Sequence, residues 1–261
     1  MVRVHDVVVI GAGPGGSATA HFLSARGLDV VLLDRAEFPR DKTCGDGLTP
    51  RALRMLREMD LLPRIAAVGC PIEAYEVVAP NGRSTTARVS GALVVPRLTL
   101  DAIILQRAID SGARFEPKVN MTRVESGEVH AEDGRSFRGR VVIIATGAAT
   151  AVLRRSGIVK EQPRAMLAAR AYYEVSGELR PTFQLSFRNV PHPGYGWVFP
   201  TGTRTANVGV GFLPTGRTRP APREMERFLN GLPGLRQLQP VKAIPSEWTF
   251  SGRRPLPSTR Y

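Results

Sequence analysis

The sequence predicts an α/β fold in which a Rossmann-type domain is interleaved with a β-rich second domain. Three observations predict it. The chain opens on an apolar strand, a glycine-rich turn, a helix and a second apolar strand; a hairpin signal and a meander signal follow; and beyond Arg164 the pattern is strand-rich, helix-poor and punctuated by Pro and Gly.

Val7-Val8-Val9-Ile10 is a continuous apolar run of the kind that a parallel strand shows when both its faces are covered. From Ser17 the period turns helical, with Ala18, Ala20, Phe22 and Leu23 supplying an apolar face, and Gly27 is placed to stop the helix. Val30 to Leu33 is the second buried strand, which completes a βαβ unit. Pro39 to Pro50 reads as a loop and Arg51 to Leu62 as one helix carrying Leu53, Leu56 and Met59 on its inner face. Glu73 to Ala79 and Ser84 to Val89 flank Pro80-Asn81-Gly82, and Asn-Gly supplies the positive φ that a tight hairpin needs. Thr99 to Ser111 is helical again. Phe115 to Ile144 alternates as a meander, with turns at Ser126-Gly127 and Asp133-Gly134. These elements divide the chain into a discontinuous first domain, residues 1–70 and 97–158, a β-rich second domain, residues 71–96 and 159–250, and an irregular tail over 251–261.

Gly11, Gly13 and Gly16 form GxGxxG between strand and helix, the one context in which that motif is informative. The first permits a tight turn, the second lets the backbone approach a pyrophosphate, and the third lets the helix pack on the sheet. The helix N-terminus presents free N–H groups to the anion. Asp34 ends the second strand 23 residues after Gly11, where a carboxylate accepts hydrogen bonds from a ribose and repels a 2′-phosphate. Together these residues point to a dinucleotide. The glycines do not separate FAD from NAD, because both contain the adenosine pyrophosphate.

Composition narrows the classes. Hydrophobic residues make up 43% and charged residues 23% of 261, the balance of a folded chain, and no apolar run approaches the roughly 20 residues that cross a bilayer. No room for a signal peptide precedes the first strand, so a cytoplasmic location is expected. Cys44 and Cys70, with four scattered histidines, support neither a zinc site nor a disulfide framework. The net charge of +13 is spread along the chain and 32 of the 36 basic residues are Arg, which reads as a solvated surface and not as a nucleic-acid patch. A weak attraction to anionic lipid headgroups, hence peripheral membrane contact, is compatible with it.

The run Gly11-Ala12-Gly13-Pro14-Gly15-Gly16, followed by Arg35 and by Lys42-Thr43-Cys44-Gly45-Asp46-Gly47-Leu48-Thr49-Pro50, resembles the geranylgeranyl reductase family of FAD-dependent oxidoreductases. Pro96-Arg97-Leu98 with Asp101, Ala145-Thr146-Gly147 and Tyr195-Gly196-Trp197-Val198-Phe199-Pro200 follow in family order; His192 departs from the proline frequent at that place. The resemblance implies a p-hydroxybenzoate hydroxylase type of fold with a Rossmann-type FAD-binding domain. It also implies FAD held by residues 11–16, Asp34, Arg35, Arg97 and Gly147, with Cys44, Gly45, Asp46 and Gly47 beside the flavin. It implies a reaction, the saturation of an isolated C=C bond in an isoprenoid chain, with an external electron donor, NADPH or a reduced electron carrier. Cys44, Tyr195 and Trp197 are the candidate catalytic residues, Cys44 as a proton relay. Tyr195, Trp197 and Phe199 alternate, so on a strand they share one face, and they are expected to wall the substrate cavity.

Two rival readings stand beside this one. A flavin monooxygenase or halogenase of the same fold would use the same glycines and Arg97, and an inactive truncated paralogue would keep the fold without the activity. Family members continue into a further segment with a GDA-type motif that nothing here matches. The expectation is that the C-terminal part of the FAD domain is missing and that the chain alone holds FAD weakly.

Overall fold

In the computed structural model, residues 3–160, 165–216, 218–232, 234–237 and 242–248 are described; the tail over 251–261 lies outside them. The chain opens with β1 (Val4–Ile10), α1 (Pro14–Ser24) and β2 (Val30–Leu33). Then come β3 (Gly47–Leu48), α2 (Pro50–Glu58), α3 (Leu62–Val68), β4 (Cys70–Val78), β5 (Ser84–Val94) and α4 (Arg97–Asp110). Next are β6 (Arg114–Glu116), β7 (Met121–Glu125), β8 (Glu128–Ala131), β9 (Ser136–Ile144) and α5 (Ala151–Arg155). The last part holds β10 (Met166–Val175), β11 (Thr182–Ser186), β12 (Gly194–Pro200), β13 (Thr205–Phe212), α6 (Ala221–Leu229), β14 (Leu235–Gln237) and β15 (Lys242–Trp248).

Two sheets result. The first runs β6-β2-β1-β9-β8-β7, parallel from β6 to β9 and antiparallel through the meander. Its central strands are buried on both faces, as their continuous apolar runs require. Val7, Val9, Val30 and Leu32 pack with Ala20 of α1 and with Leu105 and Ala108 of α4, while Val8, Ile10, Val31 and Leu33 pack with Met121, Val129, Ala131 and Val152. The second sheet runs β14-β10-β13-β12-β11-β4-β5-β3, with β15 also on β10. One of its faces is closed by α6, whose Met225 and Phe228 meet Val198, Val208 and Val210. The other face carries aromatic residues and receives the loop between β2 and β3.

Some elements differ from their expectation. The first helix begins at Pro14, because a proline at the first helical position has the right φ and gives up an N–H that would be unbonded anyway. The helix expected over Arg51 to Leu62 is two: Asp60 adopts φ 57°, Leu61 N–H closes on Leu56 O, and α3 begins at Leu62 with Pro63 in its first turn. Phe115 lies on β6, which pairs in parallel with β2, so the meander proper starts at β7. The loop over Pro39 to Pro50 contributes β3 to the second sheet through Gly47↔Val94. Among the described residues no helix is long and apolar enough to cross a membrane.

Candidate functional site

The glycine turn joins β1 to α1 above the edge shared with β9. Gly11 stands at φ +100°, and a Cβ there would meet Ala145 O at 2.6 Å; a Cβ on Gly16 would lie 1.8 Å from Gly11 O. Both positions are therefore closed to any side chain by the protein's own backbone. Gly13 and Gly15 are different. A Cβ on Gly13 would meet only an Arg40 nitrogen, at 3.6 Å, and one on Gly15 would meet nothing within 4 Å. Space is thus left open in front of these two positions. Helix α1 has no side-chain cap at Gly13 and no acid in its first turn, so its leading amides are left for an anion.

Asp34 is buried at the end of β2. Its Oδ2 accepts from Ala12 N–H at 2.7 Å and its Oδ1 from Ala36 N–H at 2.9 Å, so the carboxylate also ties the glycine turn to β2. Ala12 is fully buried with its N–H used in this way. Arg35 is exposed beside Asp34, and Gly147, at φ +61°, has nothing near its Cβ position.

A group of cations faces this turn. Asp101, fully buried on α4, accepts from Arg97 Nε at 2.5 Å, Arg97 Nη2 at 2.7 Å and Arg40 Nη1 at 3.0 Å. Burial opposes the charge on Arg97, but the Asp101 carboxylate and the Cys44 sulfur outweigh it and hold the guanidinium protonated. Lys42 has no ion-pair partner among the described residues, and burial pushes its ammonium pKa down, with Arg97, Arg40 and Arg35 adding repulsion. A diphosphate is the kind of group that relieves such repulsion. Sequence reasoning missed Arg40 and gave Lys42 no role. Their signal was the basic pair Arg40 and Lys42 just ahead of Cys44-Gly45-Asp46-Gly47.

That loop is laid on the aromatic face of the second sheet. A Cβ on Gly45 would meet Phe199 at 2.7 Å and the Trp197 Nε1 at 3.3 Å, and one on Gly47 would meet Phe183 at 2.8 Å. The glycines let backbone lie directly on rings. Tyr75, Phe183 and Phe199 continue the surface, with centroids 5.1 Å apart for the first pair and 4.6 Å for the second. Tyr195, Trp197 and Phe199 do share a face, while Gly196 and Val198 turn to Phe228 on the other. Tyr195 and Phe199 are half-buried, and burial together with the neighbouring Cys44 pushes the Tyr195 phenol pKa up.

Trp197 is the most covered of the three rings. It is 4% exposed, its ring occupies the space where a Cβ on Gly209 would stand, at 2.2 Å, and its Nε1–H donates to Asn207 Oδ1 at 2.9 Å. Its ring is a floor under the loop and not a free wall. Trp197→Ala should therefore cost stability by about 3 kcal/mol, the usual penalty for truncating a buried tryptophan. Urea denaturation checks this, and an unchanged midpoint with lost turnover would restore the substrate-facing role.

Asp46 is the polar centre of the loop. It sits at φ 66°, with Oδ2 accepting from Tyr172 OH at 2.6 Å and from Asn207 Nδ2 at 2.7 Å, and Oδ1 from Arg97 N–H at 3.3 Å. Arg170, almost fully buried, pairs with Asp41 and lies 4.7 Å over the Tyr172 ring. Burial pushes the Asp46 carboxyl pKa up, against the opposing pull of Tyr172, Asn207, Arg170 and the Arg97 amide. A folded-state pKa above the unfolded one means that the folded chain binds the extra proton. The contribution of Asp46 to stability is therefore largest at low pH and falls as pH rises from the ordinary carboxylate range through the raised value. Asp46→Asn should remove this part of the slope. Denaturation curves of both proteins from about pH 4 upward check it; parallel pH profiles would contradict it.

The FAD binding domain family matches residues 4–246. A menaquinone reductase of Mycolicibacterium smegmatis is 36% identical over 250 residues, 89% of this chain and 60% of that protein. A digeranylgeranylglycerophospholipid reductase of Methanopyrus kandleri is 35% identical over 218 residues, 79% of this chain and 57% of that protein. The chain thus spans about 60% of the length of these curated relatives. Among solved structures, a geranylgeranyl bacteriochlorophyll reductase-like protein of Thermoplasma acidophilum superposes with TM-score 0.76 at 22% identity, covering 93% of this chain and 66% of that one. A flavin-dependent brominase superposes with TM-score 0.74 at 21% identity, covering 93% and 67%. At such identities the two structures bear on the fold alone.

Proposed function

The chain belongs to the FAD binding domain family, with FAD as its cofactor, and from that premise we propose that it is a flavin-dependent reductase saturating C=C bonds of an isoprenoid chain. The observation that carries the proposal is the pair of half-buried rings, Tyr195 and Phe199, standing beside the Cys44–Gly47 loop. An isolated alkene offers no charge to grip, so its binding must come from apolar contact, at about 25 cal/mol per Å². Apolar ring surface left partly open beside this loop meets that need. The names of the two curated relatives point the same way, since both are reductases and one acts on a geranylgeranyl lipid.

The residues divide the work. Residues 11–16 and the α1 N-terminus receive the pyrophosphate, with Lys42, Arg40 and Arg97 balancing its charge, and Asp34 keeps a free lone pair on each oxygen for ribose. Arg97 and the 44–47 backbone would hold the flavin, which when bound would supply hydride to one alkene carbon. The Cys44 thiol would deliver the proton to the other, beside a Tyr195 phenol kept protonated by burial. Tyr195 and Phe199 exclude water and position the chain. Residues 1–70 and 97–158 form the FAD-binding domain and residues 71–96 and 159–250 the substrate domain in this reading, with NADPH or a reduced electron carrier as donor. The site acts in the cytoplasm, with peripheral contact where the lipid substrate lies.

Mass spectrometry of isoprenoids from a deletion strain tests the proposal. An isoprenoid heavier by two hydrogens per bond in the parent strain should be replaced by its unsaturated form. An unchanged isoprenoid profile, or loss of a halogenated or hydroxylated product instead, would refute it.

A further inference from the structure

Asn207 on β13 stands outside every motif discussed above, yet it touches the flavin loop twice. The side chain is fully buried, and both of its amide hydrogens and one of the two lone pairs on its oxygen are used. Nδ2 donates to Cys44 O at 2.7 Å and to Asp46 Oδ2 at 2.7 Å, and Oδ1 accepts from Trp197 Nε1 at 2.9 Å. Trp197 fixes the amide's orientation: because the indole N–H can only donate, the oxygen must face it and the NH₂ must face the loop. The amide therefore acts on the loop only as a donor.

The bond to Cys44 O has a consequence for the next residue. The Cys44–Gly45 peptide is trans, since the cis bonds are at Phe38-Pro39 and His192-Pro193. In a trans peptide, C=O and N–H point in opposite directions. With the Cys44 carbonyl drawn down to β13, Gly45 N–H is turned away from the second sheet, and it has no acceptor among the described residues. An unpaired backbone N–H held rigidly beside a redox cofactor is a donor aimed at charge that develops there.

We propose that Asn207 is a positioning residue that orients the Cys44–Gly45 peptide so that Gly45 N–H hydrogen-bonds the flavin and favours its reduced, more negative form. This rests on FAD binding at the loop and not on the identity of the alkene. Two variants test it, Asn207→Leu, of matching shape without donors, and Asn207→Ser, which keeps a hydroxyl too short to reach both oxygens. The readouts are the affinities for oxidised and reduced FAD, titrated anaerobically, and the midpoint potential of the bound flavin, with wild-type protein as the control for binding itself.

A residue that only supports the sheet would change both affinities alike and leave their ratio alone. The expectation is that reduced FAD loses about tenfold more affinity than oxidised FAD, which lowers the two-electron potential by about 30 mV. An unchanged ratio and potential in a variant that still folds and binds FAD would overturn the proposal. Loss of folding or of both FAD states in both variants would overturn it too, because the amide would then be holding the sheet together and not aiming a peptide. Alkene reduction is not needed for either readout, so a failure here is distinct from a failure of the reductase assignment.

Discussion

Replacing Gly13 by valine should lower FAD affinity by at least about a hundredfold, equivalent to ~2.7 kcal/mol, while leaving the fold intact. The backbone at Gly13 has φ −68° and ψ −180°, an extended conformation that valine adopts without strain, and the nearest atom to a new Cβ is the end of the flexible Arg40 side chain. No backbone atom crowds the new Cβ. What the two methyl groups would occupy is the approach to the α1 N-terminus, where the pyrophosphate must come within hydrogen-bonding distance of backbone N–H. Gly16→Ala is the contrasting variant: its Cβ would be driven into Gly11 O, so there the turn itself must fail. Fluorescence titration with FAD and a thermal melt separate the two cases. Normal FAD affinity in Gly13→Val would remove the pyrophosphate from this turn.

Removing the carboxylate of Asp101 should have the second large effect, a destabilisation of about 3 kcal/mol for Asp101→Ala. Asp101 is fully buried and is the shared partner of Arg97 and Arg40, so its loss leaves two guanidinium groups facing each other across a cavity. Those groups are 15% and 19% exposed, so water relieves part of the penalty and keeps it at the low end for a broken buried pair. Arg97 also opens α4, where a cation opposes the helix dipole. Its place is thus maintained by Asp101 and not by the helix, and FAD affinity should fall along with stability. Urea denaturation gives the first quantity. A loss under about 1 kcal/mol, the range of an exposed pair, would mean that the arginines do not depend on this carboxylate.

What could be read from the sequence follows from the range of the interactions. The βαβ unit and the hairpin at Asn81-Gly82 are written in local signals, apolar runs and glycine positions, and they stand where expected. The glycine turn was legible because its spacing is local, although the backbone that closes Gly11 to a side chain, at Ala145, is far along the chain. The break at Asp60 was hidden because an apolar period continues through it, while only an unusual φ interrupts the helix. The polar support of the flavin loop was not legible at all. Asp46 meets Tyr172 across 126 residues and Asn207 across 161, and no periodicity in one strand announces a partner in another. The cover over Trp197 was hidden on the same ground: alternation assigns its face correctly, but Gly209 on the neighbouring strand and Asn207 determine how deeply its ring is set.

The central claim is that this site reduces an isolated double bond with a flavin. It is tested most directly by incubating the purified chain anaerobically with excess chemically reduced FAD and a geranylgeranyl lipid, then measuring the lipid by mass spectrometry. The account predicts lipid heavier by two hydrogens for each bond reduced, formed without oxygen and lost in Gly13→Val. Unchanged lipid with FAD demonstrably bound, or a product that forms only when oxygen is admitted, would contradict it.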